Sequence, residues 1–160
     1  MIWGGANIIR AGAASLEVLE ALHGACFSRG WDQVEMARVL AMPGTSGTLI
    51  LPDHRDGGLS SPSGFLLGRE VAEEAEIISI GVLPTARQRG LGGALLAEFI
   101  TRMQEHGVRT LFLEVATHNE AAISLYKRQG FIAAGLRKAY YAPEPGQSTS
   151  TDALIMRCNL

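Results

Sequence analysis

Short runs of aliphatic and β-branched residues recur along the chain and predict β-strands. They occupy residues 7–10, 48–51, 64–71, 76–82, 110–115, 131–134 and 152–157. The run EIISIGV at 76–82 gives the strongest signal, and Pro84 stops it soon afterwards. Between these runs apolar residues repeat at helical spacing, so strands and helices alternate along the sequence.

Four helices are predicted from that spacing, at 16–26, 33–41, 90–106 and 120–129. The third is the most regular, because one of its faces carries only apolar side chains: Leu91, Leu95, Phe99 and Met103. Ser15, Asp32 and Asn119 are placed to cap the first, second and fourth helices, and Gly107 to end the third. The elements together predict a mixed α/β fold, with an antiparallel front and strand–helix–strand units behind it.

Composition narrows the class of protein. A chain of 160 residues corresponds to one domain, spanning 1–160. Hydrophobic residues make up 47% and charged residues 19%, which excludes a disordered chain. The net charge of -2 provides no basic field, so direct nucleic-acid binding is not expected. Cys26 and Cys158 match no metal-ligand spacing, and we expect no metal.

The chain carries no pattern that directs it to a membrane. No signal-peptide pattern opens it, and no apolar run reaches the ~18 residues of a membrane span. We therefore expect a cytoplasmic protein that does not associate with membranes. Two polar segments rich in Gly, Ser and Pro, at 52–64 and 143–151, predict exposed loops.

A cluster of glycines follows the strand at 76–82 and opens the long helix. Arg87 and Arg89 flank Gly90 there, and small residues let backbone N–H groups face a ligand. Together with the partial positive charge of a helix N-terminus, this predicts an anion site suited to a pyrophosphate. A Rossmann fingerprint is excluded, because Leu95 stands where its last glycine belongs, and no P-loop string occurs.

Arg87, Gly90 and Gly92 form an R-x-x-G-x-G pattern that resembles the acyl-CoA pyrophosphate loop of the GCN5-related N-acetyltransferases (GNAT). Residues 119–131, NEAAISLYKRQGF, resemble the same family's N-x-x-A-x-x-L-Y-x-x-x-G-F segment. The resemblance implies a six- or seven-stranded mixed sheet flanked by about four helices. It also implies that the sheet is splayed between its fourth and fifth strands, and that acetyl-CoA enters the split.

The resemblance implies cofactor contacts in three segments. Ile80, Gly81 and Val82 would offer backbone groups to the pantetheine arm, and Gly81 fits a bulge that frees an N–H for the thioester oxygen. Asn119 would cap its helix and also bind that arm. The pyrophosphate would lie on the glycine loop and the residues around it: Arg87, Gln88, Arg89, Gly90, Leu91, Gly92 and Gly93.

Three further stretches resemble the RimI-like N-α-acetyltransferases, which acetylate the N-terminal alanine of a small-subunit ribosomal protein. They are Cys26-Phe27 followed by Trp31, LEV at 113–115, and RKAYY at 137–141 followed by DALIM at 152–156. This resemblance implies the N-terminal peptide of such a protein as partner. Trp31, Tyr140 and Tyr141 would line the peptide groove, and we expect a monomer or weak dimer.

Acetyl transfer to an amine needs a base, donors for the developing oxyanion and an acid for the leaving thiolate. The resemblance implies Glu114, at the end of its strand, as the base. Glu76, on the preceding strand, is the alternative base and would otherwise lie in the substrate site. Tyr126 would be the acid, because it lies two helical turns after Asn119 on the same helix face.

Two other functions stay open at this stage. A GNAT enzyme of this kind could instead acetylate a lysine side chain or a small-molecule amine. A non-catalytic acyl-CoA-binding module is the second alternative, although such a module would need neither Glu114 nor Tyr126.

Overall fold

The computed structural model describes residues 2–3, 6–52, 61–143 and 145–160, which form one mixed sheet flanked by four α-helices. Most of the loop predicted at 52–64 lies outside these residues. The strands are β1 (Ala6–Ala11), β2 (Thr45–Pro52), β3 (Gly64–Val71), β4 (Glu74–Val82), β5 (Thr110–Ala116), β6 (Ile132–Tyr141) and β7 (Thr151–Asn159). The helices are α1 (Leu16–Cys26), α2 (Gln33–Ala41), α3 (Leu91–Glu105) and α4 (Glu120–Arg128).

The strand order across the sheet is β1-β2-β3-β4-β5-β7-β6, and a two-residue strand, Ile2–Trp3, extends it beside β1. Among the strands that the structure describes, only β4 and β5 run parallel, with α3 as the crossover between them. The predicted mixed sheet of up to seven strands with four helices is therefore confirmed. None of the helices in the described part of the chain is long and apolar enough to cross a membrane.

The sheet opens between β4 and β5. Residues 74–77 of β4 pair with 110–113 of β5, and the pairing stops there. Beyond that point β4 continues along β3, whereas Glu114 and the residues after it pair only with β7. The two strands diverge as a result, which confirms the predicted split between the fourth and fifth strands.

A β-bulge lies in β4 next to the split, but not where we expected it. Leu67 pairs with Ser79 and Gly68 with Ile77, so the extra residue is Ile78. The expected bulge at Gly81 is therefore wrong, since Gly81 pairs with Phe65 in regular register. A glycine is needed at this position for a different reason. A Cβ there would lie 2.8 Å from the Phe65 ring, which is too close.

Each face of the sheet packs its own core. On one face α3 and α4 bury a cluster that includes Leu66, Leu95, Phe99, Leu113, Val115 and Tyr126. On the other, α1 and α2 bury a smaller cluster that includes Leu19, Leu22, Met36, Leu49 and Phe65. The predicted apolar face of α3 is confirmed, since Leu91, Leu95, Phe99 and Met103 are all buried.

Capping fixes the ends of the helices near the split. The Asn119 side-chain oxygen accepts the Ala122 N–H at 3.2 Å, and Asp32 accepts the Glu35 N–H at 2.8 Å in the same way. These two predicted caps are confirmed, whereas the Ser15 side chain makes no capping hydrogen bond to α1, so that prediction is wrong. Because Asn119 starts α4 just after β5 ends, the helix runs back over the sheet and carries Tyr126 into the core.

Candidate active site

A cavity of about 440 Å³ lies where β4 and β5 diverge. Its walls come from residues 77–80 of β4, 113–116 of β5, α4 with the turn before it, the last part of α1 with the segment after it, and the end of β6. Six of the residues selected from the sequence line it: Trp31, Ile80, Glu114, Asn119, Tyr126 and Tyr141. The structure thus gathers into one cavity residues that lie as far apart in sequence as 31 and 141.

The cavity reaches both faces of the sheet. Side chains alternate along a strand, and Leu113 and Val115 pack into the core under α3 and α4. Glu114 therefore points to the opposite face, the side of α1 and Trp31. Tyr126 comes from α4 on the first face, so the carboxylate and the phenol meet the cavity from opposite sides of the split.

Glu114 is held by partners on β6. Its side chain is 23% exposed, and Oε1 lies 3.0 Å from Nη2 of Arg137. The pair bridges the intervening strand β7, where Ala153, the partner of Arg137, contributes only a methyl group. Interaction of the Tyr140 hydroxyl with Glu114 is the main cause that raises the pKa of Tyr140, followed by burial.

Tyr126 is 6% exposed, and its ring centroid lies 6.0 Å from that of Phe131. Burial raises the pKa of its phenol well above the usual value, and nearby Tyr141 raises it further. The hydroxyl therefore keeps its proton throughout the physiological range. A protonated phenol at the wall of the cavity is suited to proton donation.

Tyr140 and Tyr141 form an edge-to-face pair with ring centroids 5.0 Å apart. Tyr141 lines the cavity, and burial, followed by the influence of Tyr140 and Glu114, raises its pKa to about 12. Tyr140 is exposed and is not among the lining residues, although its hydroxyl reaches Glu114. The guanidinium of Arg137 lies 4.8 Å from the centre of the Tyr140 ring.

His23 is a lining residue that the sequence did not single out. It is 3% exposed, its Nδ1 accepts the Trp31 N–H at 3.1 Å, and the two rings stack at 4.4 Å. Burial lowers its pKa to about 4, against a smaller opposite influence of Glu35, so the imidazole is neutral near pH 7. Its position one turn after Leu19, on the apolar stripe of α1, was the signal that it would be buried.

Glu76 lies outside this cavity. Position 76 belongs to the paired part of β4, opposite Phe112, before the strands separate. Its carboxylate is half-exposed, lies 3.9 Å from Arg69 and borders a separate shallow depression. The structure therefore separates the two carboxylates that were candidates for the base.

The glycine loop has the backbone geometry of an anion site. Gln88 and Gly90 both have positive φ, at 60° and 79°, and α3 starts at Leu91. The first helical hydrogen bond runs from the Ala94 N–H to the Gly90 oxygen. The N–H groups of the first three helical residues therefore have no partner within α3. These residues are Leu91, Gly92 and Gly93.

Side chains around this loop leave room and add positive charge. A Cβ on Gly92 would lie 3.3 Å from Leu125 of α4, so a larger residue would crowd that helix. Arg87 and Arg89 are exposed, and Nε of Arg87 donates to the Val82 oxygen at 3.1 Å, which fixes the loop to the end of β4. These residues fit the pyrophosphate of an acyl-CoA.

The path from that loop to the cavity follows the open edge of β4. Residues 79–82 pair with β3 on one side and, among the described residues, have no partner strand on the other. Backbone groups on that open side can bind an extended chain such as a pantetheine arm, except the Val82 oxygen, which accepts from Arg87. Ile80 and Asn119 lie at the cavity end of this path, with Gly81 and Val82 between them and the loop. No cluster of His, Cys, Asp or Glu in the described residues is placed to hold a metal ion.

Residues 16–131 match the acetyltransferase (GNAT) family. The chain belongs to this family. The [Ribosomal protein bS18]-alanine N-acetyltransferase of Escherichia coli K12 is 41% identical to this chain over 92 residues. That alignment covers 58% of this chain and 60% of the relative. The N-alpha-acetyltransferase RimI of Mycobacterium tuberculosis is 41% identical over 91 residues, 57% of this chain and 52% of that protein.

Solved structures of GNAT proteins share the whole fold. The ribosomal-protein-S18-alanine N-acetyltransferase of Escherichia coli superposes with a TM-score of 0.84 at 28% identity, over 96% of this chain and 93% of that one. Arabidopsis thaliana NAA60 in complex with acetyl-CoA gives a TM-score of 0.81 at 23% identity, over 97% and 98% of the two chains. The curated sequence relatives, in contrast, are matched over only about half to three fifths of their length.

Proposed function

We propose that this GNAT protein transfers the acetyl group of acetyl-CoA to the N-terminal amine of a protein. The observation that carries the proposal is the placement of Glu114 and Tyr126 at one cavity, on opposite faces of the split. An amine entering from the α1 side would meet the carboxylate, and the leaving sulfur on the α4 side would meet the phenol. The names of the bacterial relatives favour the N-terminal alanine of a small-subunit ribosomal protein as acceptor.

The residues present fit acetyl-CoA as co-substrate. The loop from Arg87 to Gly93 would hold the pyrophosphate, the open edge at Ile80, Gly81 and Val82 the pantetheine arm, and Asn119 would contribute a further contact. Acetyl-CoA supplies, when bound, a thioester carbonyl that an amine can attack. The chain's own groups then provide the proton transfers.

Glu114 would act as the base. An N-terminal α-amine has a pKa of about 7.7–8, so removing its proton near pH 7 needs only a modest base, directly or through one water. The carboxylate is already partly in solvent and is oriented by Arg137. Glu76 is the weaker candidate, since it lies outside the cavity beside Arg69.

Tyr126 would act as the acid. The phenol is protonated and lies at the cavity wall, so it can pass its proton to the sulfur as the bond between the carbonyl carbon and the sulfur breaks. The phenol then recovers a proton from solvent through the cavity. Trp31, Tyr140 and Tyr141 would form the walls along which the acceptor peptide enters.

The test uses the purified protein, acetyl-CoA and two short peptides with the N-terminal sequence of the ribosomal substrate and one internal lysine. One peptide has a free α-amine and the other a blocked one, and mass spectrometry locates the acetyl group. We expect acetylation of the free N-terminus alone. Acetylation of lysine in both peptides would overturn the proposal in favour of a lysine-directed enzyme. Binding of acetyl-CoA without transfer to either peptide would also overturn it.

A further inference from the structure

The last strand before the C-terminal hairpin turn contains an irregularity that the proposed mechanism does not use. In β6, Arg137 pairs with Ala153 of β7, but the next paired residue is Tyr141, opposite Thr151. In regular register residue 139 would face Thr151 instead. The strand therefore carries two extra residues opposite Asp152.

The bulge moves the two tyrosines toward Glu114. Each strand residue advances about 3.3 Å, so two extra residues draw Tyr141 back by roughly 7 Å along the sheet. A shift of two residues also preserves the alternation of side chains, so Tyr141 stays on the same face as Arg137. That face is also the face of Glu114, which pairs with Ile155 and through it with Gly135.

A single side chain holds the bulge in place. Oδ1 of Asp152 accepts the backbone N–H of Ala139 at 2.8 Å. Ala139 has φ of +50°, a conformation that an alanine adopts only when its surroundings require it. The Asp152 backbone oxygen also accepts the Thr117 N–H at 3.1 Å, so the same residue connects the bulge to the turn between β5 and α4.

We infer that Asp152 is a positioning residue for acetyl transfer: through Ala139 it fixes the β6 bulge that brings Tyr140 and Tyr141 to Glu114. The inference rests on the proposed function, since it takes Glu114 as the base. Asp152 does not line the cavity, so its effect passes through the residues of the bulge. Without this hydrogen bond both tyrosines can move away from Glu114. The walls that would contact the acceptor amine are then no longer held in place.

Kinetics of three variants of the full chain give the first test of the inference. D152A removes the acceptor, and D152N keeps an oxygen at the same position. We expect D152A to lower kcat/KM for the acceptor by about tenfold or more, because small displacements of positioning groups reduce rates strongly. D152N should stay within about threefold, and the KM for acetyl-CoA should not change in either. S148A, an exposed serine of the same hairpin, is the matched control.

The double variant D152A/A139G separates positioning from folding. Glycine adopts positive φ without strain, so it should return the Tm toward that of wild type. It leaves the bulge without its hydrogen bond, so kcat/KM should stay low. Recovery of both quantities, equal losses in D152A and D152N, or a D152A enzyme within twofold of wild type would overturn the inference. If D152A does not fold, the double variant is compared with A139G alone.

NMR spectra of the tyrosine rings do not depend on catalysis, so they test this inference separately from the proposed function. The chain has 3 tyrosines, so selective labelling resolves the ring signals of Tyr126, Tyr140 and Tyr141 by NMR. In D152A we expect the signals of Tyr140 and Tyr141 to move and the Ala139 amide to exchange faster. Unchanged signals would overturn the inference even if the wild-type enzyme acetylates the peptide. Shifted signals would support it even if the wild-type enzyme prefers another amine.

Discussion

The guanidinium of Arg137 lies 3.0 Å from the carboxylate of Glu114, with strand β7 between their two strands. The Arg137 side chain is 53% exposed, so solvent screens the pair, and its contribution to stability is at most about 1 kcal/mol. Because the contact is weak, the Glu114 carboxylate can exchange Arg137 for the ammonium group of an incoming substrate. The pair therefore fits a base that must be oriented and also accessible.

Replacing Arg137 by Met should lower kcat/KM for the peptide about tenfold while the Kd for acetyl-CoA stays constant. The reason is that Glu114 loses its orienting partner, whereas the cofactor path along β4 is untouched. Steady-state kinetics and calorimetric titration measure the two quantities. Arg157→Met, an exposed arginine near the far end of β7, is the matched control. Equal losses in both variants would contradict this role for Arg137.

Glu114→Gln should lower kcat by about a hundredfold or more, because a general base contributes 10²–10⁴ in rate. Glu76→Gln should stay within about threefold, since its carboxylate lies outside the cavity. The two variants differ from wild type by the same change of one carboxylate to an amide. If Glu76→Gln is the inactive one, the base has been assigned to the wrong strand.

Tyr126→Phe should bind acetyl-CoA as wild type does and lose kcat, because only the hydroxyl is removed. Its raised pKa means that the phenol is protonated throughout the assay range, so the pH profile of wild type should show no alkaline decline from Tyr126. Rates measured from pH 6 to 9 check both statements. A kcat/KM within twofold of wild type would remove Tyr126 from the mechanism.

Gly90→Ala and Gly107→Ala form a matched pair at the two ends of α3. Both glycines have positive φ, 79° and 82°, and a Cβ on either meets no other atom within 4 Å. Each alanine should therefore cost about 1 kcal/mol of unfolding free energy from backbone strain. Only Gly90→Ala should weaken acetyl-CoA binding, because Gly90 precedes the free N–H groups. The same Kd for both variants would argue against the pyrophosphate site.

His23 should make stability depend on pH. Its folded-state pKa is lowered to about 4, so between pH 6.5 and 4 the unfolded chain takes up a proton that the folded protein does not. The stabilisation is present above pH 6.5 and is lost as the pH falls, by on the order of 2 kcal/mol. Urea unfolding of wild type and His23→Gln at pH 7 and 4.5 measures it. A His23→Gln variant that loses as much stability as wild type between the two pH values would contradict this role for His23.

Interactions between residues close together in the sequence were enough to predict several features of the helices. The Asp32 and Asn119 side chains bond to the backbone a few residues away, so their caps depend only on neighbouring sequence. The same holds for the apolar repeat of α3 and for the glycine loop, where positive φ and a helix start follow from residue type. The bulge was misplaced at Gly81 because pairing with β3, not the glycine, decides which β4 residue is extra.

The sequence by itself determined the alternation of strands and helices, the glycine loop at the start of α3 and the resemblance that led to the GNAT family. These follow from periods of two and 3.6 residues and from steric limits on single residues. Only the tertiary structure decided that Glu114 and Tyr126 share a cavity, that Glu76 lies outside it, and that His23 stacks on Trp31 at its wall. It did so because strand pairing, which stops after position 77, depends on contacts between residues far apart in the chain.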